Sequence, residues 1–349
     1  MPGDAQPKTT RLWLDGCFDG FHFAHANAVR QAAELIKGPV HITVGIHSDE
    51  DILKNKGPTL FEERERYTTY PQTSIVQCLM CFRYDLMRGC RWVDEVAEGV
   101  PYVTQLEVIN EHDIDYVVHG DDVVLDANGM DCYGFAKAAG RYKEVKRTNG
   151  ISTTSLIDRV MNSQRIVRTD QHALRALLDQ FSNSTSPHVP VVDFINGPAQ
   201  LNAAFSSNRA LIFGAFDCFG AGHVELLRRS KEALPPDTAL VVGLWDDVTV
   251  QVLTGEPPLL AHLERALALV QCLHVDAVLL YFPLSPSPAG IKSLGIAQIV
   301  SYDRQILSFP GVEVTTVQRP ALLDVPSLRE RVNANLELYA DRQKRKGLA

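Results

Sequence analysis

The chain has 349 residues, of which 45% are hydrophobic, enough for two domains that each bury a core. Its net charge of −8 argues against nucleic acid as the main partner, because phosphate backbones select basic surfaces. The sequence shows neither an apolar run long enough for a membrane span nor a signal peptide. The 7 cysteines lack a disulfide framework and indicate reduced thiols in a cytoplasmic protein. Cys78 and Cys81 form a C-x-x-C without a second pair, so we expect no metal site.

An internal repeat organises the chain. Two strand-like runs end in Gly-x-Phe-Asp, and they lie at Leu12–Asp19 and Ala210–Asp217. In both copies a helical pattern follows, which begins at His25 in the first and at His223 in the second. A second strand comes next, at Val40–Ile46 and at Ala239–Leu244. A strand, helix and strand of this length form a βαβ unit, which requires parallel strands. The fold class is therefore predicted to be α/β, with two tandem Rossmann-like domains and parallel sheets.

The repeat also predicts the domain boundaries. The first domain is expected over 10–163, a polar linker with a helical stretch over 164–207, and the second domain over 208–326. The remaining residues, 327–349, resemble an exposed charged helix with a basic end. This tail is either solvated or in weak contact with an anionic membrane, such as the endoplasmic reticulum. A homodimer is left open.

Spacings within the two copies locate an insertion. From Asp94 to His119 and from Asp276 to Ser301 the distance is 25 residues in each case. From Arg66 to Asp94 it is 28, whereas from Arg265 to Asp276 it is 11. The first copy therefore carries 17 extra residues, placed at about 69–85, which interrupt a predicted helix after Glu65-Arg66-Tyr67. The segment is either a surface loop or an unspliced intron in the gene model.

The first Gly-x-Phe-Asp segment, Gly16–His25, predicts a phosphate site. A helix N-terminus follows the turn, and its free N–H groups attract anions. His22 and His25 are three residues apart at this turn, so both imidazoles can face one phosphate and stabilise its growing charge. The alternative for such a pair is two histidines without a catalytic role.

Three further segments carry the predicted phosphate and nucleotide contacts. Lys54–Pro58 is a loop in which Lys56 can reach a triphosphate, although a solvated loop is the simpler interpretation. His119–Asp122 follows an apolar strand, at the edge where ligands bind in open α/β sheets. Arg147–Thr154 offers a guanidinium, a glycine and four hydroxyls before a helix, where Ser152 or Thr153 can be the N-cap.

Together these segments resemble the cytidylyltransferase family, a branch of the HIGH-motif nucleotidyltransferases. Gly16–His25 is similar to G-x-[FY]-D-x-x-H-x-G-H, Glu65-Arg66-Tyr67 to E-R-Y, and Trp92–Val96 to W-V-D-E-V. Arg147–Thr154 is similar to R-T-x-G-[IV]-S-T-[ST], the most specific signal. The resemblance covers about 10–160 closely and 208–310 loosely. Two such domains in tandem resemble the ethanolamine-phosphate branch.

The resemblance implies transfer of CMP from CTP to phosphoethanolamine with release of pyrophosphate, a step of phosphatidylethanolamine synthesis. Mg²⁺ would accompany CTP without a dedicated protein site. The implied catalytic residues are His22, His25, Lys56 and Arg147. The implied nucleotide-binding residues are Gly16, Cys17, Phe18, Asp19, Arg66, Trp92, Asp94, His119, Gly120, Asp121, Asp122, Arg147, Thr148, Gly150, Ile151, Ser152, Thr153 and Thr154.

The chain departs from the family pattern at several positions. Ala24 stands where H-x-G-H has glycine, and the insertion follows Arg66. The second copy has Gly220 in place of the first histidine, Ser301-Tyr302-Asp303 in place of His-Gly-Asp, and no R-T-x-G-x-S-T segment. We therefore expect the second copy not to turn over CTP.

Three other functions remain open at this point. The first is a choline-phosphate cytidylyltransferase. The second is an adenylyltransferase or a class I aminoacyl-tRNA synthetase, which share the histidine motif, although no K-M-S-K-S-like loop is present. The third is a nucleotide-binding homologue without catalytic activity.

Overall fold

The computed structural model describes residues 8–61, 65–66, 79–80, 82–126, 128–161, 170–205, 208–302, 309–320 and 325–339. The chain divides into two compact units. The first comprises Met1–Glu65, Leu79–Thr154 and Val332–Ala349, and the second comprises Arg66–Cys78 and Ser155–Arg331. No helix in these described ranges is long and apolar enough to cross a bilayer.

The first unit contains a five-stranded sheet in which all neighbouring strands are parallel. Its strands are β1 (Thr10–Gly16), β2 (Val40–Ile46), β5 (Glu95–Glu98), β6 (Tyr116–Gly120) and β7 (Tyr142–Val145), in the order β5-β2-β1-β6-β7. The helices are α1 (Phe23–Glu34), α2 (Asp49–Lys56), α3 (Phe82–Arg88), α4 (Leu106–Glu111), α5 (Gly134–Ala138) and α6 (Thr153–Met161), the last of which ends in the second unit. Two short strands, β3 (Glu65–Arg66) and β4 (Leu79–Met80), form a separate pair.

The second unit contains a six-stranded parallel sheet. Its strands are β8 (Val191–Asp193), β9 (Arg209–Gly214), β10 (Ala239–Leu244), β11 (Ala277–Leu280), β12 (Ile296–Ser301) and β13 (Glu313–Thr316), in the order β13-β12-β9-β10-β11-β8. The helices are α7 (Gln171–Asn183), α8 (Pro198–Ala204), α9 (Ala221–Glu232), α10 (Asp247–Thr254), α11 (His262–Val270), α12 (Pro288–Ser293) and α13 (Val325–Ala334). Five strands repeat the order of the first sheet, which confirms the predicted tandem repeat and fold class.

A glycine shared by the two second strands shows how closely the local packing repeats. A Cβ on Gly45 would lie 2.5 Å from the indole of Trp13, which crosses it from β1. A Cβ on Gly243 would lie 2.7 Å from the ring of Phe282. An aromatic side chain therefore requires a glycine at the same place in both sheets.

Most of the predicted linker consists of helices and a strand that belong to the second unit. Within 164–207 the structure has α7, α8 and β8, and β8 pairs in parallel with β11. The helix predicted at Asp170–Phe181 is present as α7, and residues 162–169 lie outside the described part of the chain. The polar composition misled the prediction, because a three-residue edge strand carries little hydrophobic signal.

The insertion and the tail also differ from expectation. Glu65–Arg66 is a short strand, and α3 begins at Phe82, inside the predicted insertion. Tyr67 and residues 69–78, where the predicted helix would begin, lie outside the described residues. The tail was expected to be exposed, yet Val332 and Tyr339 are at most 1% exposed. Apolar residues at these two positions bury part of the segment that the charge pattern had assigned to solvent.

Candidate active site

The first Gly-x-Phe-Asp turn brings two histidines to the start of α1. Phe18 has a φ of +45° and Gly20 a φ of +60°, so the chain turns through left-handed backbone before the helix begins. His22 is the N-cap, and its backbone N–H donates to Nδ1 of His25 over 3.4 Å. The two imidazole rings stack, with centroids 3.9 Å apart. Both rings lie at a helix N-terminus, where a phosphate is attracted.

His25 is a neutral hydrogen-bond donor at physiological pH. Burial, with the positive charges of Lys56 and Arg147, lowers the pKa of His25 from 6.5 to about 3. Because Nδ1 accepts the His22 N–H, the proton of the neutral ring lies on Nε2. Lys56 and Arg147 are thus close enough for their positive charges to act on the His25 imidazole. The four residues predicted to be catalytic therefore converge on one site.

Arg147 is held at the carboxyl edge of the first sheet. Its guanidinium pairs with Asp122 over 3.0 Å, and its backbone N–H donates to the Asp121 carboxylate over 3.0 Å. The Arg147 side chain is 58% exposed, so it can move towards an anionic ligand. Gly150 has a φ of +96°, and a Cβ built there would meet nothing within 4 Å. The backbone at Gly150 is thus open to close approach by a ligand.

Two further hydrogen bonds attach the Arg147–Thr154 segment to the histidine turn. Asn27 of α1 donates to the Thr148 hydroxyl over 2.8 Å. The Thr153 hydroxyl donates to the Asp19 carbonyl over 2.7 Å. The two most specific motifs of the sequence are therefore joined directly.

A buried carboxylate that the sequence analysis did not select lies at the end of β1. Asp15 is 5% exposed, and its two oxygens accept hydrogen bonds from the hydroxyls of Tyr133 and Thr104. The Tyr133 ring packs on His119 with centroids 4.6 Å apart, and the Tyr102 ring packs on His47 at 5.0 Å. We call these six residues the Asp15 cluster: Asp15, His47, Tyr102, Thr104, His119 and Tyr133.

Both histidines of the Asp15 cluster offer an acceptor nitrogen. Nδ1 of His47 lies 3.2 Å from the Val100 carbonyl, and Nδ1 of His119 lies 3.1 Å from the Gly120 carbonyl. A carbonyl can only accept, so each Nδ1 carries a proton and each Nε2 is an acceptor in the neutral ring. Burial lowers the pKa of both imidazoles, opposed by the nearby carboxylates, of which Asp15 acts on both. Both rings are therefore neutral at physiological pH.

Lys56 joins the phosphate side of the site to the Asp15 cluster. Its positive charge lowers the pKa values of His25, His47 and His119. Its ammonium lies 5.6 Å from the centroid of the Tyr102 ring. One cation at the end of α2 thus acts on groups of both kinds, and they form a single site.

Comparisons with known proteins agree with this geometry. A family model described as cytidylyltransferase-like matches residues 13–73, 80–159 and 211–328. The ethanolamine-phosphate cytidylyltransferase of Dictyostelium discoideum is 34% identical over 93% of this chain and 88% of its own length. The Saccharomyces cerevisiae enzyme of the same name is 34% identical over 77% of this chain and 79% of its own length. The chain belongs to the ethanolamine-phosphate cytidylyltransferase family.

A relative from the choline branch matches less of the chain. Choline-phosphate cytidylyltransferase 2 of Arabidopsis thaliana is 37% identical, but over 49% of this chain and 49% of its own length. The ethanolamine-phosphate relatives align over most of their length and of this chain, as the tandem repeat predicted. The synthetase and adenylyltransferase alternatives are set aside by this assignment.

Arg83, an arginine that the sequence analysis did not select, supports the site, whereas the predicted role of Arg66 stays a prediction. Arg83 is 1% exposed, and it donates to the carbonyls of Cys17 and His47 over 2.8 and 3.0 Å. It also pairs with Asp49 over 2.8 Å. Arg83 therefore joins the chain segments that leave β1 and β2, where the site lies.

Arg265 shows that Arg83 is the repeated residue. In the second unit Arg265 donates to the carbonyls of Ala215 and Trp245 and pairs with Asp247 over 2.7 Å. Arg83 precedes Asp94 by 11 residues, the same distance as from Arg265 to Asp276. The spacing already contained this answer, but the E-R-Y match drew the assignment to Arg66. The extra residues thus lie before Arg83, and the Arg66 side chain lies outside what the structure describes.

Asp94 and Trp92 lie at the amino ends of the strands, whereas the site lies at the carboxyl ends. This position corrects their predicted contacts with the nucleotide. The Asp94 carboxylate accepts the backbone N–H of Ile42 over 2.8 Å, near the start of β2. Trp92 lies in the turn before β5. In the second unit Asp276 accepts the N–H of Leu240 in the same way. These residues fix the amino ends of strands, whereas ligands bind at the carboxyl ends.

Asp19 holds the loop that follows α2 through its carboxylate. It is 1% exposed, and its carboxylate accepts the N–H groups of Leu60 and Phe61 over 2.9 Å each. Gly16, Cys17 and Phe18 form the backbone of the turn beside it. The predicted residues Gly120, Ile151, Ser152 and Thr154 lie in the segments already placed at the site.

In the second unit, aromatic side chains replace the Asp15 cluster. Phe213 stands in the position of Asp15, before the strand-end glycine that both copies have, and Trp245 stands in that of His47. The Phe213 ring lies 6.2 Å from that of Trp245 and 5.1 Å from that of Phe282. All three belong to or pack against the hydrophobic core of this unit. The space that is polar in the first unit is therefore filled by the second unit's own core.

The histidine site of the second unit is also incomplete. Gly220 is the N-cap of α9, and its N–H donates to Nδ1 of His223 over 3.3 Å, so one imidazole stands where the first unit has two. The Tyr302 hydroxyl lies 2.5 Å from the position of a Cβ on Gly214 and donates to the Phe213 carbonyl. These contacts support the prediction that the second copy does not turn over CTP.

The carboxylates at the site are held by protein donors. Asp15 and Asp19 accept hydroxyl and backbone N–H groups, and Asp122 pairs with Arg147. Among the described residues there is no cluster of three or more His, Cys, Asp or Glu side chains that could hold a metal. Cys78 and Cys81 lie outside the described ranges.

Proposed function

We propose that the first unit transfers CMP from CTP to phosphoethanolamine, forming CDP-ethanolamine and pyrophosphate. An oxygen of the phosphomonoester attacks the α-phosphorus, and the bond from that phosphorus to the bridging oxygen of the β-phosphate breaks. His25 donates from Nε2 and His22 lies beside it, while Lys56 and Arg147 neutralise the phosphates. The convergence of these four residues beside the buried Asp15 carboxylate carries the proposal.

The Asp15 cluster is proposed to bind the ammonium group of phosphoethanolamine. A primary ammonium has three N–H donors, and the cluster has three acceptors: the Asp15 carboxylate, Nε2 of His47 and Nε2 of His119. A trimethylammonium has no N–H donor, so it would leave the imidazole acceptors buried without partners. Such unpaired buried groups discriminate strongly against an analogue. The acceptor count therefore favours phosphoethanolamine over phosphocholine.

Mg²⁺ is proposed to arrive bound to CTP. Because Asp15, Asp19 and Asp122 already accept from protein donors, the site fits an ion held by phosphate oxygens and water. Mg²⁺ would neutralise part of the triphosphate charge. Homodimer formation, a cytoplasmic location and membrane contact of the tail, residues 327–349, stay predictions from the sequence.

Pyrophosphate release from CTP tests the proposal, with phosphoethanolamine and phosphocholine as alternative acceptors. The wild-type chain should release pyrophosphate with a higher kcat/KM for phosphoethanolamine. In Asp15→Asn, the KM for phosphoethanolamine should rise by about ten- to hundredfold, because a charge-assisted hydrogen bond is lost, while the KM for CTP stays within about twofold. Absence of pyrophosphate release by the wild-type chain would remove the proposal. Equal kcat/KM for both acceptors would remove the role of the Asp15 cluster.

A further inference from the structure

The chain returns to the catalytic unit at its C-terminal end. Helix α13 begins in the second unit, and residues from Val332 onward belong to the first. Tyr339 is 1% exposed, and its hydroxyl donates to the carbonyl of Thr59 over 2.8 Å. A segment that resembles a solvated tail in sequence therefore contacts a loop of the active unit.

Tyr339 and Asp19 hold opposite ends of one peptide group. The Thr59 carbonyl and the Leu60 N–H belong to the same peptide bond. Tyr339 donates to that carbonyl, and the Asp19 carboxylate accepts that N–H over 2.9 Å. Hydrogen bonds at both ends of a peptide group polarise it and strengthen each other, particularly when buried. The orientation of this peptide is consequently fixed from two sides.

The fixed peptide lies between the parts of the site that handle phosphate. Lys56 ends α2 three residues before Thr59, and the helix stops at Gly57 with a φ of +93°. Asp19 precedes His22 by three residues in the turn before α1. Fixing the peptide therefore sets the loop after Lys56, and with it the end of α2, against the histidine turn.

The second unit contains the matching loop with a different C-terminal contact. There the Asp217 carboxylate accepts the N–H groups of Leu259 and Leu260 over 2.7 and 3.0 Å. The C-terminal helix reaches this loop through Arg329, which forms two hydrogen bonds with the Glu256 carboxylate, at 3.0 and 2.6 Å. This ion pair holds a loop without an equivalent of Lys56, so it offers a matched control.

We propose that Tyr339 is a positioning residue for the CTP side of the active site. It acts through the Thr59–Leu60 peptide on the placement of Lys56 relative to His22 and His25. The inference rests on the proposed function, because its readout is the use of CTP. Tyr339 thus supports the active site although it is distant in sequence from the residues that form it.

Steady-state kinetics of Tyr339→Phe test the proposal. This variant keeps the buried ring and removes the one hydroxyl donor. The KM for CTP should rise by about three- to tenfold, the factor of one hydrogen bond, while the KM for phosphoethanolamine stays unchanged. Tyr339→Ala, which also loses the ring, should raise the KM for CTP further. Arg329→Gln and the exposed-site variant Tyr281→Phe should leave both KM values at the wild-type level.

The outcomes separate this inference from the proposed function. A wild-type chain without pyrophosphate release contradicts the function itself. An active wild type with an unchanged KM for CTP in Tyr339→Phe overturns only the role of Tyr339. An equal rise in Arg329→Gln would show a general loosening of the C-terminal helix and would also overturn it.

Discussion

Replacement of Arg83 by alanine should unfold the site that this residue supports. The variant removes the donors to the carbonyls of Cys17 and His47 and breaks the ion pair with the Asp49 carboxylate. Removing one member of a buried charged pair costs about 3–5 kcal/mol, and each buried carbonyl left unpaired costs about 1–3 kcal/mol. These contributions overlap, and Asp49 is 37% exposed, so we expect a total loss of about 4 kcal/mol.

Chemical unfolding and turnover distinguish the two candidate arginines. Arg83→Ala should lose stability and turnover together, and Arg83→Lys, which keeps the charge without the fork, should retain part of both. Arg265→Ala removes the same contacts from the second unit, so it should lose similar stability but keep kcat/KM within about threefold. Arg66→Ala should change neither property. Loss of turnover in Arg66→Ala with normal turnover in Arg83→Ala would refute the assignment.

Two further predictions concern the second unit. Burial, with the positive charge of Arg319, lowers the pKa of His223 to about 3, against 6.5 in an unfolded chain. The unfolded state therefore binds more protons than the folded state between these two pH values. The contribution of His223 to the free energy of unfolding falls by about 1.4 kcal/mol per pH unit as the pH drops below 6.5. His223→Gln should reduce that slope in urea unfolding at pH 7, 6 and 5, and an unchanged slope would contradict it. Glu264 is 0% exposed and pairs twice with Arg159 over 2.7 and 3.0 Å, so Glu264→Ala should lose about 3–5 kcal/mol in denaturant titrations. A double variant, Arg159→Met with Glu264→Leu, should recover most of this loss; no recovery would show that packing dominates.

The repeated elements were predictable because they carry strong local signals. Val40–Ile46 and Ala239–Leu244 were predicted with the bounds that the structure has, since apolar, β-branched runs in covered parallel strands stand out from their surroundings. The histidine turn was equally clear, because Gly-x-Phe-Asp determines its own backbone. Local sequence was sufficient where local chemistry decides the conformation.

The remaining parts of the site depend on contacts between residues distant in sequence. In the sequence, Asp15 is only a polar residue at the end of a strand. The structure shows that the hydroxyls of Tyr133 and Thr104, both distant in sequence, donate to its carboxylate. Asp94 matched a family motif, but only the sheet shows that it faces the amino ends of the strands. For Arg83, the spacing to Asp94 within the repeat was better evidence than a three-letter motif.

Turnover of CTP and phosphoethanolamine by His25→Ala and His223→Ala, compared with the wild type, tests the central claim most directly. The two histidines occupy the same place in the two units, and both accept a backbone N–H through Nδ1. His25→Ala should lower kcat by about 10²-fold or more, because a donor to the reacting phosphates is lost, whereas His223→Ala should stay within about threefold of the wild type. Near-normal kcat in His25→Ala, or loss of turnover in His223→Ala, would contradict a site formed by the first unit.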